Sequence, residues 1–228
     1  MALAIHDQFD IRGHDTTVSR ILQKHSWLRE EAKQNALEAS ATLRETYLAT
    51  LARYPVDRLV FLDESAWNER TGYRKRGWSP VGVDCKALLS TKWYERWSIL
   101  PALTTNGYLP DPLILQLGLN QQSFNWFVVN RVLPHLDPGM VIVLDNAPFH
   151  HDPLLKAVVE AAGHRLLYLP SYSADLNPIE RAFKMLKAWL KRNIAMATVF
   201  RDFASFLAYA MQEAIGNVDE HFPESGYR

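Results

Sequence analysis

Two aspartates close apolar runs in this chain, and a glutamate opens a basic helix. Asp63 sits near the end of RLVFLDE (58 to 64), Asp145 near the end of VIVLDN (141 to 146), and Glu180 near the start of PIERAFKMLKAWLKRN (178 to 193). Each has a local explanation. An aspartate after a buried strand often turns the chain, and Asp145-Asn146-Ala147-Pro148 suits an Asx-turn. Glu180 falls at the third position of a helix that Asn177 would cap and Pro178 would open, where its side chain can reach back to the cap. The positive charges that follow it, Arg181, Lys184, Lys187, Lys191 and Arg192, suit the helix dipole. Taken together, three carboxylates from separate elements converging on one spot would repel one another and hold their protons more tightly, so something positive belongs among them. Oxygen donors without a cysteine cluster suit Mg²⁺ or Mn²⁺. Two such ions about 4 Å apart serve in-line attack at a phosphodiester, one sharpening the attacking oxygen and the other steadying the leaving oxygen. The cationic side chains of the helix would then receive phosphates beside the scissile bond, although a solvated helix face explains them equally well.

The surrounding pattern supplies elements to position these groups. Residues 15 to 25 read as a short capped helix, and 27 to 53 as a longer helical connector ending before Pro55. From Arg58 the pattern changes to a short buried strand. Two apolar runs in 97 to 117 flank Asn106-Gly107, a hairpin dipeptide. Helical spacing over 123 to 136, a strand over 141 to 146, a helix over 152 to 163 stopped by glycine and a strand over 165 to 170 lead to the basic helix, and a last helix spans about 199 to 215. A hairpin followed by alternating helices and strands predicts an α/β domain with a mixed sheet flanked by helices, over residues 55 to 228, after a helical region over 1 to 54. Polar groups at the C-terminal ends of adjacent strands face a shared crevice in such a sheet. If the strands ending in Asp63 and Asp145 are neighbours, their carboxylates meet.

Composition narrows the function. The chain has 228 residues, 48% of them hydrophobic, and 25 basic residues balance 25 acidic ones. That balance argues against coating nucleic acid by bulk charge and leaves local patches. One such patch is WNERTGYRKRGWSP (67 to 80), where Arg70, Arg74, Lys75 and Arg76 interleave with Trp67, Tyr73 and Trp78, a pattern that suits phosphate and base faces and equally a solvated hairpin. No apolar run approaches membrane length, and nothing points to secretion. The single cysteine, Cys85, excludes an internal disulfide and reads as a packed thiol. His150 and His151 beside Asp145 suggest zinc, but adjacent histidines in a strand diverge and in a loop are commonly solvated.

RLVFLDES, ERTGYRKRGWSPVG, WSILPALTTNGYL, VIVLDNAPFH and LPSYSADLNPIERAFKMLK, in that order, resemble the successive blocks of Tc/mariner-type DDE superfamily transposases and endonucleases, with 34 residues between Asp145 and Glu180 as in the Tc branch. The resemblance implies an RNase H-like fold, with Asp63, Asp145 and Glu180 as catalytic metal ligands for two Mg²⁺ or Mn²⁺ ions. It implies hydrolysis at transposon ends and attack of the freed 3′-hydroxyl on a TA target, with no covalent enzyme intermediate. The partners it implies are double-stranded DNA carrying terminal inverted repeats and a second copy of the chain. Residues 15 to 25 would be the closing helix of a helix-turn-helix, with Thr17, Ser19 and Arg20 in the groove. Arg74, Lys75, Arg76, Arg181, Lys184, Lys187 and Lys191 would be the further DNA contacts. The expected location is the nucleus of a eukaryote or the cytoplasm and nucleoid of a bacterium. Family members carry complete helix-turn-helix units upstream, so the chain reads as N-terminally truncated. Ser171 and Ala174 replace family prolines, which should loosen that loop. The alternative is a catalytically retired transposase that holds DNA through its basic surfaces; a third reading is an RNase H-like nuclease acting on RNA or hybrid strands.

Overall fold

A strand covered on both faces has a continuous apolar run, and successive side chains along it go to opposite sides. β1 (Leu59–Leu62) and β7 (Val141–Leu144) are buried at every position. In the computed structural model, which describes residues 15–25, 40–68, 80, 96–116, 118–218 and 221–227, they lie side by side and parallel, with Leu59 opposite Val141 and Phe61 opposite Val143. β8 (Arg165–Tyr168) runs parallel on the far side of β7. β4 (Ala102–Thr104) pairs antiparallel with β1, and β5 (Gly107–Tyr108) with β4. The result is a five-stranded mixed sheet in the order β5-β4-β1-β7-β8.

A second sheet, β2 (Ser65–Trp67), β3 (Trp97–Leu100) and β6 (Leu113–Leu115), has the order β2-β3-β6. Its separation from the first turns on Pro101, which has no N–H to donate and divides the apolar run into β3 and β4. The expected hairpin forms one residue earlier than its dipeptide. Thr104 pairs with Gly107, so Thr105 and Asn106 make the turn and Gly107, at φ +110, opens β5.

Alternation divides the interior. Leu59, Phe61, Val141 and Val143 face Tyr47 and Leu51 of α2 (Ala41–Leu51), Ile179, Ala182 and Phe183 of α5 (Pro178–Asn193), and Phe222 and Tyr227 in and beyond α7 (His221–Glu224). Val60, Leu62, Ile142 and Leu144 face Phe124 and Phe127 of α3 (Gln121–Phe127), and Leu155 and Val159 of α4 (Pro153–Ala161). A third cluster joins Trp67 and Ile99 of the small sheet to Leu186 and Leu190 of α5 and to Phe203, Phe206 and Leu207 of α6 (Phe203–Ala214). Burying each such side chain contributes about 1.5–3 kcal/mol, so the two strands carrying the aspartates are among the best anchored parts of the chain.

The connector helix is shorter than the sequence suggests within the described residues: Ser40 caps it by accepting from the Leu43 amide at 3.3 Å, and residues 26–39 lie outside the description. The last long helix begins at Phe203 because Asp202 caps it through the Ser205 amide at 2.7 Å. The helix read over 123 to 136 is α3 continued by a π-helical stretch, Val128–Val132, and a 3-10 turn, Leu133–His135. The chain divides into two units, Met1–Ala36 and Leu37–Arg228. Within the first, α1 (Asp15–Lys24) is described. No helix among the described residues is long and apolar enough to cross a membrane.

Candidate active site

Asp63 follows β1, Asp145 follows β7, and the parallel pairing of those strands places both at the same end of the sheet. Glu180 reaches that end from the first turn of α5. The three carboxylates line one cavity of about 390 Å³, together with Asn146, Ser171, Tyr172 and Asn177. Among the described residues, no three His, Cys, Asp or Glu side chains are close enough to grip an ion as they stand. Hydrogen bonds hold two of the acids in place. Asp63 Oδ1 accepts from the Glu64 amide at 2.8 Å and Oδ2 from Asn177 Nδ2 at 3.1 Å. Asp145 Oδ1 accepts from the Ala147 amide at 3.1 Å and lies 2.5 Å from His150 Nδ1.

The electrostatics record uncompensated negative charge. Burial, followed by the charges of Glu180, Asp145 and Glu64, pushes the Asp63 carboxyl up to about 8. Burial also raises Glu64, with the charge of His150 opposing and that of Asp145 adding to the rise. Asp145 goes the other way: burial alone would raise it, but hydrogen bonds from His150 and the Ala147 amide, with the positive influence of His150 and His151, hold it below the usual range. An oxygen-rich cavity in which one carboxyl is pushed up first by burial and then by its acidic neighbours fits a hard divalent cation, which would offset that repulsion.

Asn177 does more than the sequence indicates. Its Oδ1 caps α5 through the Ile179 amide at 3.4 Å, as expected, while its Nδ2 holds Asp63. One buried side chain thus ties the strand end bearing the first acid to the helix bearing the third. The loop before α5 is tied by hydrogen bonds. Asn146 donates to Ser171 Oγ at 2.9 Å, Arg44 grips Asp175 at 2.6 and 2.8 Å, and Tyr227 donates to the Leu176 carbonyl at 2.6 Å. Tyr172 stands exposed in this loop in the left-handed region, at φ +57.

Sequence reasoning did not single out Glu64, and it expected the histidines to diverge or be solvated. The structure differs for His150, which is fully buried. The pair falls at the end of a 3-10 turn, Pro148–His150, which folds His150 back toward Asp145. His151 is exposed, stacks on Tyr168 at 4.2 Å and bonds Asn146 Oδ1 at 2.7 Å. The available signal was the five-residue step from Asp145 to His150 across a proline.

Lys184, Lys187 and Lys191 share the face of α5 that carries Glu180, with Arg181 at its edge, by the geometry of 3.6 residues per turn. Lys184 and Lys191 are exposed, whereas Arg181 and Lys187 are partly buried. Thr17 and Arg20 are exposed on α1, in the other unit, and the Ser19 side chain lies outside the description. Arg74, Lys75 and Arg76 lie outside the described residues.

Residues 58–200 match the family of DDE superfamily endonucleases. No curated protein matches the chain. Among solved structures, the Mos1 transposase paired-end complex with left transposon end matches with a TM-score of 0.59 at 16% identity, covering 100% of this chain and 79% of that one. The Mos1 mariner paired-end complex with Mn matches with a TM-score of 0.57 at 15% identity, covering 100% and 78%. A pre-cleavage Mos1 transpososome matches with a TM-score of 0.56 at 15% identity, again covering 100% and 78%. At such identities the likeness is one of fold, the RNase H-like α/β fold expected from the order of elements.

Proposed function

Because the chain belongs to the DDE superfamily endonucleases, we propose that it is a Tc/mariner-type transposase that hydrolyses phosphodiester bonds at transposon ends and joins the freed strand to a TA target. The observation that carries this reading is the cavity lined by Asp63, Asp145 and Glu180, in which Asp63 is pushed up to about 8 by burial and then by its acidic neighbours. Two Mg²⁺ or Mn²⁺ ions held by these carboxylates would supply Lewis-acid activation of the attacking and leaving oxygens. Support for those metals comes from the oxygen donor set and from the Mos1 mariner paired-end complex with Mn.

The chain's own groups would position the DNA. Lys184, Lys187 and Lys191 receive phosphates on either side of the scissile bond, and the loop around Tyr172 borders the cavity where the strand enters. In the first step a water oxygen bonds to phosphorus, the P–O3′ bond breaks and a 3′-hydroxyl is released opposite a 5′-phosphate. In the second step that hydroxyl attacks a target phosphate and displaces the target's own 3′ oxygen. Residues 1–54 would serve recognition and connection, with Thr17, Ser19 and Arg20 in the groove, and 55–228 catalysis. Arg74, Lys75 and Arg76 would add backbone contacts, and two copies would act on paired ends wherever the cell keeps its DNA, in a nucleus or a nucleoid.

Purified protein with Mn²⁺ should nick duplex DNA carrying its terminal repeats, and Asp145→Ala and Glu180→Gln should each reduce nicking to background while the circular dichroism spectrum is retained. Equal nicking by either variant would refute the assignment. Retention of the DNA by native protein without nicking would instead identify a retired, DNA-holding descendant.

A further inference from the structure

We infer that His150 is a positioning residue for the second acid: it fixes the rotamer of Asp145 and, through Glu64, links that acid to the strand end bearing the first. This rests on the reading of Asp63, Asp145 and Glu180 as ligands.

The imidazole is fully buried, an uncommon place for a polar ring unless both nitrogens are used. Its ring lies 4.3 Å from that of Phe124 and 4.0 Å from that of Phe149. Its backbone is held as well: its amide donates to the Ala147 carbonyl at 3.0 Å and its carbonyl accepts from Tyr168 Oη at 3.1 Å. So anchored, it places Nδ1 2.5 Å from Asp145 Oδ1, where the Nδ1–H tautomer donates. The Ala147 amide falls on the same oxygen. Oδ1 is thereby engaged twice, and Oδ2 is the oxygen presented for a ligand. This is the arrangement by which an outer partner orients a metal-binding side chain.

The far side of the ring points to a second carboxylate. His150 Nε2 lies 3.7 Å from Glu64 Oε2, and both atoms are buried with no hydrogen-bond partner among the described residues. At that separation the two atoms face each other without a hydrogen bond, and the Glu64 carboxyl flanks the second nitrogen of the ring. Glu64 directly follows Asp63, whose Oδ1 its amide holds. Asp63, Glu64, His150 and Asp145 thus succeed one another across the ends of β1 and β7. Without the ring, Asp145 would lose the contact that selects its rotamer, while the sheet below it would be unchanged.

The test compares His150→Phe, which keeps an aromatic ring between Phe124 and Phe149 but has no donor, with His150→Asn, whose amide nitrogen occupies the place of Nδ1. Mn²⁺ titration calorimetry on the full chain should show binding weakened about 10–100-fold in His150→Phe and largely restored in His150→Asn. Thermal unfolding in EDTA establishes that both variants fold. In metal-free native protein, the Nδ1–H proton resonance of His150 should lie downfield and move upfield in Asp145→Ala. Native-like Mn²⁺ affinity in His150→Phe, or equal weakening in the Phe and Asn variants, would overturn the inference. Native protein that takes up no Mn²⁺ would overturn the ligand reading beneath it.

Discussion

Replacing Asp63 with asparagine should make the metal-free protein less sensitive to alkaline pH. The native carboxyl is pushed from 3.8 up to about 8, first by burial and then by Glu180, Asp145 and Glu64. The folded state therefore binds a proton that the unfolded state releases between about pH 4 and pH 8, and stability falls as pH rises through that window. This is the reverse of a salt-bridged aspartate. At about 1.4 kcal/mol per pH unit, the whole rise corresponds to about 6 kcal/mol, of which about 4 kcal/mol falls between pH 5 and pH 8. Water in the open cavity screens the charges, which brings the expected loss over that interval to about 2 kcal/mol. The substitution carries its own penalty, because both donors to this side chain, the Glu64 amide and Asn177 Nδ2, then face an amide with a single acceptor oxygen. That mismatch destabilises by about 1–3 kcal/mol and is independent of pH. Urea unfolding of native protein and Asp63→Asn in EDTA, at intervals from pH 5 to pH 8, separates the two effects. The native curve should descend relative to that of the variant by about 2 kcal/mol. Parallel curves would show that Asp63 titrates in the folded protein much as in the unfolded chain, and the argument from crowded carboxylates would fail.

Three further outcomes follow from the same geometry. Mn²⁺ binding at pH 7 should expel the Asp63 proton, so the calorimetric enthalpy should vary with the ionisation enthalpy of the buffer by roughly one proton, a dependence that vanishes near pH 9.5. Tyr227→Phe leaves the Tyr47 hydroxyl and the Leu176 carbonyl without their shared partner, and urea unfolding should show a loss of about 2–3 kcal/mol. A double-mutant cycle on Arg44 and Asp175, whose side chains are 29% and 64% exposed, should return a coupling of only about 0.5–1 kcal/mol that weakens as salt is raised.

The parts of this site that local chemistry specifies were legible in the sequence. LVFL and VIVL are buried on both faces, so their apolar runs are continuous and the acids after them mark the strand ends. Asn177 and Pro178 fix the start of α5, which runs over the 178 to 193 read from the sequence. What escaped depends on contacts between distant segments. Nothing near Asn177 in sequence indicates that its second polar atom meets Asp63. Nothing near Glu64 indicates that a histidine from beyond β7 faces it. The second sheet was hidden because a strand on either side of Pro101 reads as one apolar stretch, and which sheet each half joins is decided by partners elsewhere. The short helix near the C-terminus was missed because HFPE has neither the length nor the periodicity to stand out, and its place is set by Phe222 and Tyr227 packing on Phe61.

The tether from Tyr227 also bears on how decayed copies of such genes are scored. Its hydroxyl reaches the carbonyl of Leu176, next to the asparagine that caps the helix of Glu180. A descendant that lost only its final few codons would still display every acid, and a census by motif would count it as intact. Its loop would nonetheless have lost an anchor, so erosion at the tail would loosen the site while its signature survives.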